Sequence, residues 1–498
     1  MMKLACVAIL TLAAPITTVA AEPILTSTTE PEAKPATTVD TKPDEAKPDS
    51  ALAPTPVTAA TVAGSPQPGF ESGRTDEVDP GDSAFRWIAR GALFVPRWAL
   101  EVVLSPIRGG VWAEDKYHLH EVYSRIFFND AKTMGLYPTG MYESGFGASI
   151  GARFVHRNLF GEHEHVALQA TTGAMTGQTY RAGVRGEVRT GNRLGPLELA
   201  FDGNFDQRPT DPFFGIGNGN LVAMPPATRI DPRIDNTAIS TNHRYQEASA
   251  ALGATIHLPA DLHVVGSAQL TELQFAPSTS SPNLPIDQVY DTAGLVGFTT
   301  GVHHAYGELE LRWDTRRRYS VWEPRSVPSS GSLVSAFVGR IEGFGSNANF
   351  SRYGVELQNY LRIAKGPRVL VTRFHGEAVT GSLDQVPFTE LPMLGGGSFL
   401  RGYSFERFRD RVAAFGSLQY EWDLSHLLHA YVFTDVGRVF PSIADATYHD
   451  LRVGYGLGVE LHSEQGFMLE TSIASSIDGG VLFSVDFNPV LDARARWR

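Results

Sequence analysis

From Tyr142 onward, apolar and polar residues alternate with a period of two, and this alternation limits the possible folds more than any other feature of the chain. It is visible in the run Gly145-Phe-Gly-Ala-Ser-Ile-Gly-Ala-Arg-Phe-Val-His156. Successive side chains of a β-strand point to opposite faces, so the pattern predicts strands with one apolar and one polar face. Most of these segments have about ten residues or more, the length that a tilted strand needs to cross a bilayer. Similar segments lie near 163–173, 177–189, 196–206, 243–257, 262–275, 303–313, 331–343, 349–363, 367–379, 412–424, 428–439, 450–462, 465–476 and 479–489.

Consecutive strands without intervening helices can cross hydrocarbon only as a closed sheet, because closure satisfies every backbone N–H and C=O group. Only 19% of residues are charged, and the mean hydropathy of −0.13 indicates that polar and apolar residues are interleaved. Beyond the first 21 residues no stretch of 18 apolar residues occurs. We therefore expect an all-β fold, a transmembrane antiparallel β-barrel. The alternative, an array of soluble β-sandwiches, fits poorly because an exported chain of that kind commonly carries disulfides, and the only cysteine is Cys6.

The first 136 residues differ in composition from the rest of the chain. Residues 1–21 combine a positive start, an apolar run and small residues, which predicts a cleavable signal peptide. Residues 22–81 are rich in Pro, Ala, Thr and charged residues and predict a disordered periplasmic tether. Residues 82–136 predict a short amphipathic helical segment that leads into the barrel at 137–498. This segment either rests on the membrane interface, plugs the barrel mouth or packs against the barrel.

The number of predicted strands points to one that the pattern misses. Fifteen segments alternate, whereas single-chain bacterial barrels have an even number of strands. The irregular stretch 207–242 is the first place to look for the missing strand, and 117–128 is the second. Connections alternate in length, with 364–367 short and 276–302 and 380–411 long. This alternation predicts that 380–411 is an outer loop, because such barrels have short periplasmic turns.

The loop 380–411 carries an arginine inside a glycine-rich motif. Its glycines permit tight turns and its apolar residues favour burial, so we expect the loop to fold into the barrel lumen. A guanidinium in a partly dry lumen requires carboxylate partners, and Asp435 and Glu421 have the strand parity of the lumenal face. Whether such an ion pair of Arg401 only fastens the loop or also acts in transport stays open. The other residues of the motif are Gly395, Gly396, Gly397, Leu400, Gly402 and Tyr403.

Five short motifs follow one another along the predicted barrel. They are Asn158-Leu-Phe-Gly161, Phe213-Phe-Gly-Ile-Gly-Asn218, Asp314-Thr-Arg316, the loop motif within 394–410, and Phe433-Thr-Asp-Val-Gly437. In this order they resemble the bacterial surface antigen barrel of the BamA/TamA-like outer-membrane assembly superfamily. The resemblance implies sixteen strands, a large loop between the eleventh and twelfth strands, and pairing of Arg401 with Asp435 and Glu421. It also implies that the barrel opens laterally between its first and last strands.

One departure from this family affects the expected function. Assembly and secretion members carry periplasmic POTRA modules of roughly 75 residues each, and residues 22–141 do not fit such a module beside the tether. The chain is therefore expected to be a member without POTRA domains and without POTRA-dependent partners. We expect it to assist insertion or translocation of protein or lipid at the bacterial outer membrane, with membrane lipid and unfolded protein or lipid clients as partners. The alternative is a passive diffusion pore or a structural barrel.

Other sequence patterns argue against an enzyme and against a cofactor. The run Gly147-Ala-Ser-Ile-Gly151 matches the spacing of a hydrolase elbow, but that motif needs a helix after the turn, and here the alternation continues. His118 with His120 and His163 with His165 give two metal ligands each without a third, so no metal is expected. The run 215–219 lacks the surrounding strand and helix of a nucleotide loop. The formal net charge of −12 argues against nucleic acid as a partner.

Overall fold

The computed structural model describes residues 125–486, together with 116 and 122, apart from short gaps at 144–146, 177–178, 223–227, 234–236, 280–282, 318–327, 346–347, 364–367, 425–427 and 464–465. The predicted signal peptide, the tether and most of the amphipathic segment at 82–136 lie outside these residues. In the part of the chain that the structure describes, no helix is long and apolar enough to cross a membrane.

Sixteen antiparallel strands form one closed barrel. Each strand pairs with its neighbours in the chain, and the first strand also pairs with the last. The strands are β1 Met134–Glu143, β2 Gly147–His156, β3 His165–Thr176, β4 Thr179–Arg189, β5 Leu197–Phe213, β6 Thr241–Leu258, β7 Leu262–Pro277, β8 Val302–Asp314, β9 Gly331–Gly343, β10 Phe350–Arg362, β11 Arg368–Val379, β12 Val412–Asp423, β13 Leu428–Phe440, β14 Arg452–Ser463, β15 Gly466–Ser476 and β16 Val481–Asp486. The predicted β-barrel is thus confirmed, with sixteen strands.

The barrel wall has the two faces that the alternation predicts. On β9, Phe337 is 5% exposed while its neighbour Val338 is 55% exposed. Facing them on β8, Glu310 is buried and Leu309 is exposed. Charged, polar and aromatic side chains therefore line the lumen, and an apolar band covers the outer surface where lipid would lie.

The strand that the alternation missed is β1. It begins at Met134, upstream of the first predicted segment, and lies in neither 207–242 nor 117–128. Residues 207–213 and 241–242 instead extend β5 and β6. The pattern fails on β1 because its lumenal positions include Gly135 and Met141, which give little polar contrast to the outer face. The segment 147–156, taken from sequence as the first strand, is the second.

Three long connections lie together at one end of the barrel, because an up-and-down sheet places alternate connections at the same end. They are 214–240, 278–301 and 380–411. The middle one contains a short helix, α1 (Ile286–Val289). Their apolar side chains and those of the adjacent strand ends form a single buried cluster that consists of Phe213, Ile216, Ile239, Ile286, Val289, Tyr290, Leu295, Phe298, Tyr306, Ile341, Phe350, Val379, Val386, Phe388 and Leu391.

A charged residue placed on the outer apolar band should lower the stability of the barrel more at the middle of a strand than at its end. Leu309 lies midway along β8 and is exposed, whereas Leu258 is the last residue of β6. We expect Leu309→Arg to lower the free energy of unfolding in lipid vesicles by about 2–4 kcal/mol and Leu258→Arg by about 1 kcal/mol or less. Urea titration followed by tryptophan fluorescence measures both, and equal losses would contradict this placement of the band.

Candidate functional site

The loop between β11 and β12 folds into the barrel lumen from a short two-residue ladder. Met393 faces Arg409 and Leu394 faces Phe408 in this ladder. Residues 395–407, which include the glycine-rich motif, lie between these pairs, and we call them the tip of the loop. Within the tip, Gly395 N–H donates to the Phe399 carbonyl at 2.8 Å, and Gly396 N–H donates to the Tyr403 carbonyl at 3.0 Å. Gly395, Gly396 and Gly402 all have positive φ, which explains why the motif uses glycine there.

The tip is anchored by Arg401, which is buried together with Asp435 on β13. The Arg401 guanidinium donates to both Asp435 oxygens at 2.9 Å, and the Arg401 backbone N–H donates to Oδ2 at 2.9 Å. The guanidinium carbon also lies 3.5 Å from the centre of the Phe433 ring. This is a bidentate ion pair with an aromatic face beside it, a geometry that only arginine provides.

Two residues that the sequence reasoning did not select complete the arginine site. Arg401 Nη1 donates to Gln419 Oε1 at 2.8 Å, and Nη2 donates to Ser417 Oγ at 3.1 Å. Gln419 Nε2 in turn donates to Glu421 Oε1 at 3.0 Å, so Glu421 connects to Arg401 through Gln419. Ser417 and Gln419 share the lumenal parity of Glu421 on β12, so the period-two pattern places them on the lumenal face without identifying them as partners of Arg401.

A second arginine, Arg373, also contacts the tip. Arg373 on β11 donates from Nη1 to the Ser398 carbonyl at 3.0 Å and lies 4.5 Å from the centre of the Phe399 ring. Its Nε donates to Glu356 Oε1 at 2.6 Å, and His375 Nδ1 lies 2.8 Å from the other oxygen of Glu356. Sequence offered no signal for this cluster, because nothing in the alternation says which lumenal residues face the loop.

The tip also contacts the wall through glycine. A Cβ atom built at Gly454 on β14 would lie 1.7 Å from the Arg401 carbonyl oxygen. A Cβ atom at Gly402 would lie 2.2 Å from the Ser475 carbonyl oxygen on β15. Gly454 is therefore the position on β14 where the loop backbone meets the wall.

The motif Phe213-Phe-Gly-Ile-Gly-Asn218 and the residue after it form hydrogen bonds with the same loop. Gly217 N–H donates to the Arg409 carbonyl at 2.7 Å, and Arg407 Nη2 donates to the Gly219 carbonyl at 2.5 Å. Asn218 bonds both backbone groups of Val439 on β13 through its side chain. Burial and the nearby Arg452 lower the pKa of the Arg407 guanidinium to about 10, which leaves it charged at neutral pH. Two motifs far apart in sequence thus form one assembly.

The remaining predicted patterns occupy ordinary structural positions. Ser149 lies within β2, where it faces Met141 on β1 and Gly173 on β3. The run 215–219 is the turn that contacts Arg409. Among the described residues, no group of three His, Cys, Asp or Glu side chains is arranged to hold a metal ion. His118 and His120 lie outside those residues.

The junction between β1 and β16 closes the barrel. Among the described residues, Tyr142 faces Val485 and Glu143 faces Ser484 across it. Residues 144–146 and 487–498 lie outside the described part of the chain. Across its other edge, β1 pairs with β2 over its whole length from Met134 to Glu143. We call the β1–β16 junction the seam.

The comparisons with known proteins agree with this architecture. Residues 158–477 match the model of the Omp85 superfamily domain. The chain belongs to the Omp85 superfamily. This Omp85 barrel is therefore a bacterial outer-membrane protein. No curated protein sequence matches it.

Two solved structures of similar fold have low sequence identity to this Omp85 chain. BamA from Haemophilus ducreyi lacking POTRA domains 1–3 is 15% identical with a TM-score of 0.45, and the match covers 71% of this chain and 69% of that one. CdiB from Acinetobacter baumannii is 11% identical with a TM-score of 0.45, and the match covers 71% of this chain and 59% of that one.

Removing the arginine should release the tip. We expect Arg401→Ala to lower the stability of the folded barrel by about 3–5 kcal/mol, because Asp435 would be left buried without its cation. The freed loop should also change the single-channel conductance of the purified protein. Arg411→Ala is the control, because Arg411 is half-buried and its Nη1 donates to the Gly381 carbonyl in the same loop. Unchanged conductance with unchanged stability would contradict a fastening role for Arg401.

A methyl group at Gly454 should displace the tip without removing any charge. Gly454→Ala places its Cβ against the Arg401 carbonyl, whereas a Cβ at Gly266 on β7 meets no atom within 4 Å. We expect trypsin to cut Gly454→Ala after Arg401 or Arg407 at least about tenfold faster than it cuts the wild type. Gly266→Ala should stay as resistant as wild type, and equal resistance of the two variants would show that the close approach is not needed.

Proposed function

We propose that this Omp85 barrel assists insertion or translocation of protein or lipid at the outer membrane by opening its seam, while the inward-folded loop 380–411 stays fastened by Arg401. The proposal is carried by the junction of β1 with β16, which joins the two ends of the sheet and for which the described residues show the pairs Tyr142 with Val485 and Glu143 with Ser484. Backbone hydrogen bonds are what close a barrel in hydrocarbon, so a junction that carries few of them separates at low cost.

The filling of the barrel supports this role over that of a diffusion pore. The loop tip and its anchors occupy the lumen beside β11 to β15. At the same end of the barrel, the three long connections share one buried apolar cluster. A pore with a free aqueous path would gain nothing from burying Arg401 and Asp435, whereas a barrel that opens at its side gains from holding together the strands β11 to β15, which have to stay closed.

The partners follow from this role. Separation of β1 from β16 would expose unpaired backbone groups to the membrane, and an extended client segment or lipid headgroups could satisfy them. We therefore propose unfolded protein or lipid as the client class and membrane lipid as the medium, with the chain segment before β1 on the periplasmic side.

Locking the seam tests the proposal. We expect a disulfide between Tyr142→Cys and Val485→Cys to reduce insertion of a urea-unfolded outer-membrane barrel into proteoliposomes at least about tenfold, with recovery on reduction. Transbilayer movement of a fluorescent lipid is measured in parallel as the lipid arm. Cys6 is the only native cysteine, so it should not interfere once the signal peptide is removed.

The matched control links the same residue to its other neighbour. Tyr142→Cys with Ala148→Cys joins β1 to β2, which are already paired there. This lock should leave both activities near the unlocked level. If the seam lock leaves insertion and lipid movement intact while ions still pass, the barrel acts as a diffusion pore and the proposal is wrong.

A further inference from the structure

We propose that His257 and His263 form a two-histidine site for a divalent transition-metal ion of the class of Cu²⁺ and Ni²⁺, at the end of the barrel opposite the three long connections. Both residues lie outside the arginine site and the seam, so the proposal stands independently of the function proposed above. It follows from the register of β6 and β7, from the distance between two ring nitrogens, and from the carboxylate beside one of the rings.

The two histidines face each other across a tight hairpin. β6 ends at Leu258 and β7 begins at Leu262, and the register of these strands places His257 directly opposite His263. Side chains at directly opposite positions of an antiparallel pair have Cβ atoms about 4.5–5.5 Å apart. On β7, His263 shares the parity of Thr271, which is buried on the lumenal face. Both histidines therefore project from neighbouring strands toward the lumenal side, at the rim of the barrel.

Backbone hydrogen bonds to the strands on both sides hold this hairpin. The Asp261 carbonyl in the turn accepts from Asp314 N–H on β8 at 3.0 Å, and His257 N–H donates to the Pro196 carbonyl before β5 at 2.7 Å. Ligands that stand on rigid elements keep their spacing when an ion binds. The pair is thus carried by a fixed part of the barrel wall.

The two imidazoles present nitrogen atoms at a spacing that suits one metal ion. His257 Nδ1 lies 2.9 Å from His263 Nδ1, and the two ring planes are at 83° to each other. Metal–imidazole bonds are about 2.0–2.1 Å long, so two such bonds at right angles place their nitrogens about 2.8–3.0 Å apart. Right angles between neighbouring ligands are typical of Cu²⁺ and Ni²⁺, whereas the tetrahedral angle of Zn²⁺ needs about 3.3–3.4 Å. The spacing therefore favours Cu²⁺ or Ni²⁺.

A nearby carboxylate favours the tautomer that metal binding requires. Without a metal ion, the contact between the rings is a hydrogen bond in which one Nδ1 carries the hydrogen. A bound ion needs both Nδ1 atoms free, with the hydrogen of each ring on Nε2. Glu198 Oε2 lies 3.8 Å from His257 Nε2, so a shift of about 1 Å brings the two atoms into hydrogen-bond distance. A carboxylate on the outer nitrogen of a metal-bound histidine fixes its tautomer and orientation.

The surroundings of the pair admit a hydrated cation. The His257 side chain is 44% exposed, which leaves room for water molecules at the remaining coordination positions. Arg312 lies opposite His263 on β8, but its Nε and Nη2 donate to the two oxygens of Glu310 at 3.0 Å and 2.9 Å, so its charge is compensated. Two histidines completed by water also agree with the finding that the described residues contain no group of three such ligands. A bound ion would link β6 to β7 at the rim.

Copper binding to the purified barrel, prepared without a polyhistidine tag, tests the site. We expect isothermal titration with Cu²⁺ to show a site whose EPR spectrum has two coordinated ring nitrogens. His257→Gln and His263→Gln should each weaken binding at this site at least about tenfold and remove the two-nitrogen spectrum. Glu198→Gln should weaken binding about tenfold while both nitrogens stay coordinated, because Glu198 acts only through His257.

His303→Gln is the matched control. His303 is an exposed histidine on β8 that faces Glu272 on β7 rather than another histidine, so its removal should leave copper binding unchanged. Circular dichroism verifies that each variant is folded. Wild-type affinity in both His257→Gln and His263→Gln, or a wild-type spectrum without two nitrogens, would show a hydrogen-bonded pair only and overturn the proposal. An equal loss in His303→Gln would show unspecific binding to surface histidines and overturn it as well.

Discussion

Every feature of this barrel depends on the need to pair backbone N–H and C=O groups in hydrocarbon. Sixteen strands satisfy that need through ladders with their neighbours, and fifteen of these ladders join strands that follow each other in the chain. The sixteenth must join the two ends of the sheet. Closure is therefore unavoidable, and so is a junction whose two strands are far apart in sequence. A weakness placed at that junction leaves all other ladders intact, which makes it the natural place for a barrel to open.

The loop tip contacts the part of the wall that runs from β11 to β14. Arg401 joins the tip to β12 and β13, Arg373 joins it to β11, and the close approach at Gly454 sets it against β14. Each bond is modest alone, but the charged groups are buried, so losing one partner leaves an uncompensated charge or dipole. The tip thus couples four adjacent strands that would otherwise be held only by their ladders and by lipid.

The sequence predicts the barrel because alternation reports directly on two faces. It predicts a pairing of Arg401 with Asp435 because a buried cation needs acids of lumenal parity, and the two side chains lie in contact in the structure. It did not reveal β1, because the glycine, proline and methionine residues of this strand leave little difference in polarity between its two faces. It also did not reveal Ser417, Gln419 or Arg373, because contact between a loop and a wall depends on where the loop tip lies. Glu421 was assigned to the arginine directly, whereas the structure connects it through Gln419. Parity alone cannot distinguish two positions on the same face.

If the seam opens as proposed, the distribution of contacts around the barrel favours movement of β16. The described ladder of β16 with β15 runs from Val481 to Asp486, while β1 pairs with β2 along its whole length. The loop holds β11 to β14 and touches β15 at Ser475, but none of its described contacts reaches β16. Because β1 pairs with β2 along its whole length and its Met134 bonds to Asn129, the strand with the fewest described constraints is β16. In the proposed function, displacement of β16 would leave the contacts of Arg401 and the apolar cluster at the long-loop end unchanged, so opening of the seam would not require release of the loop.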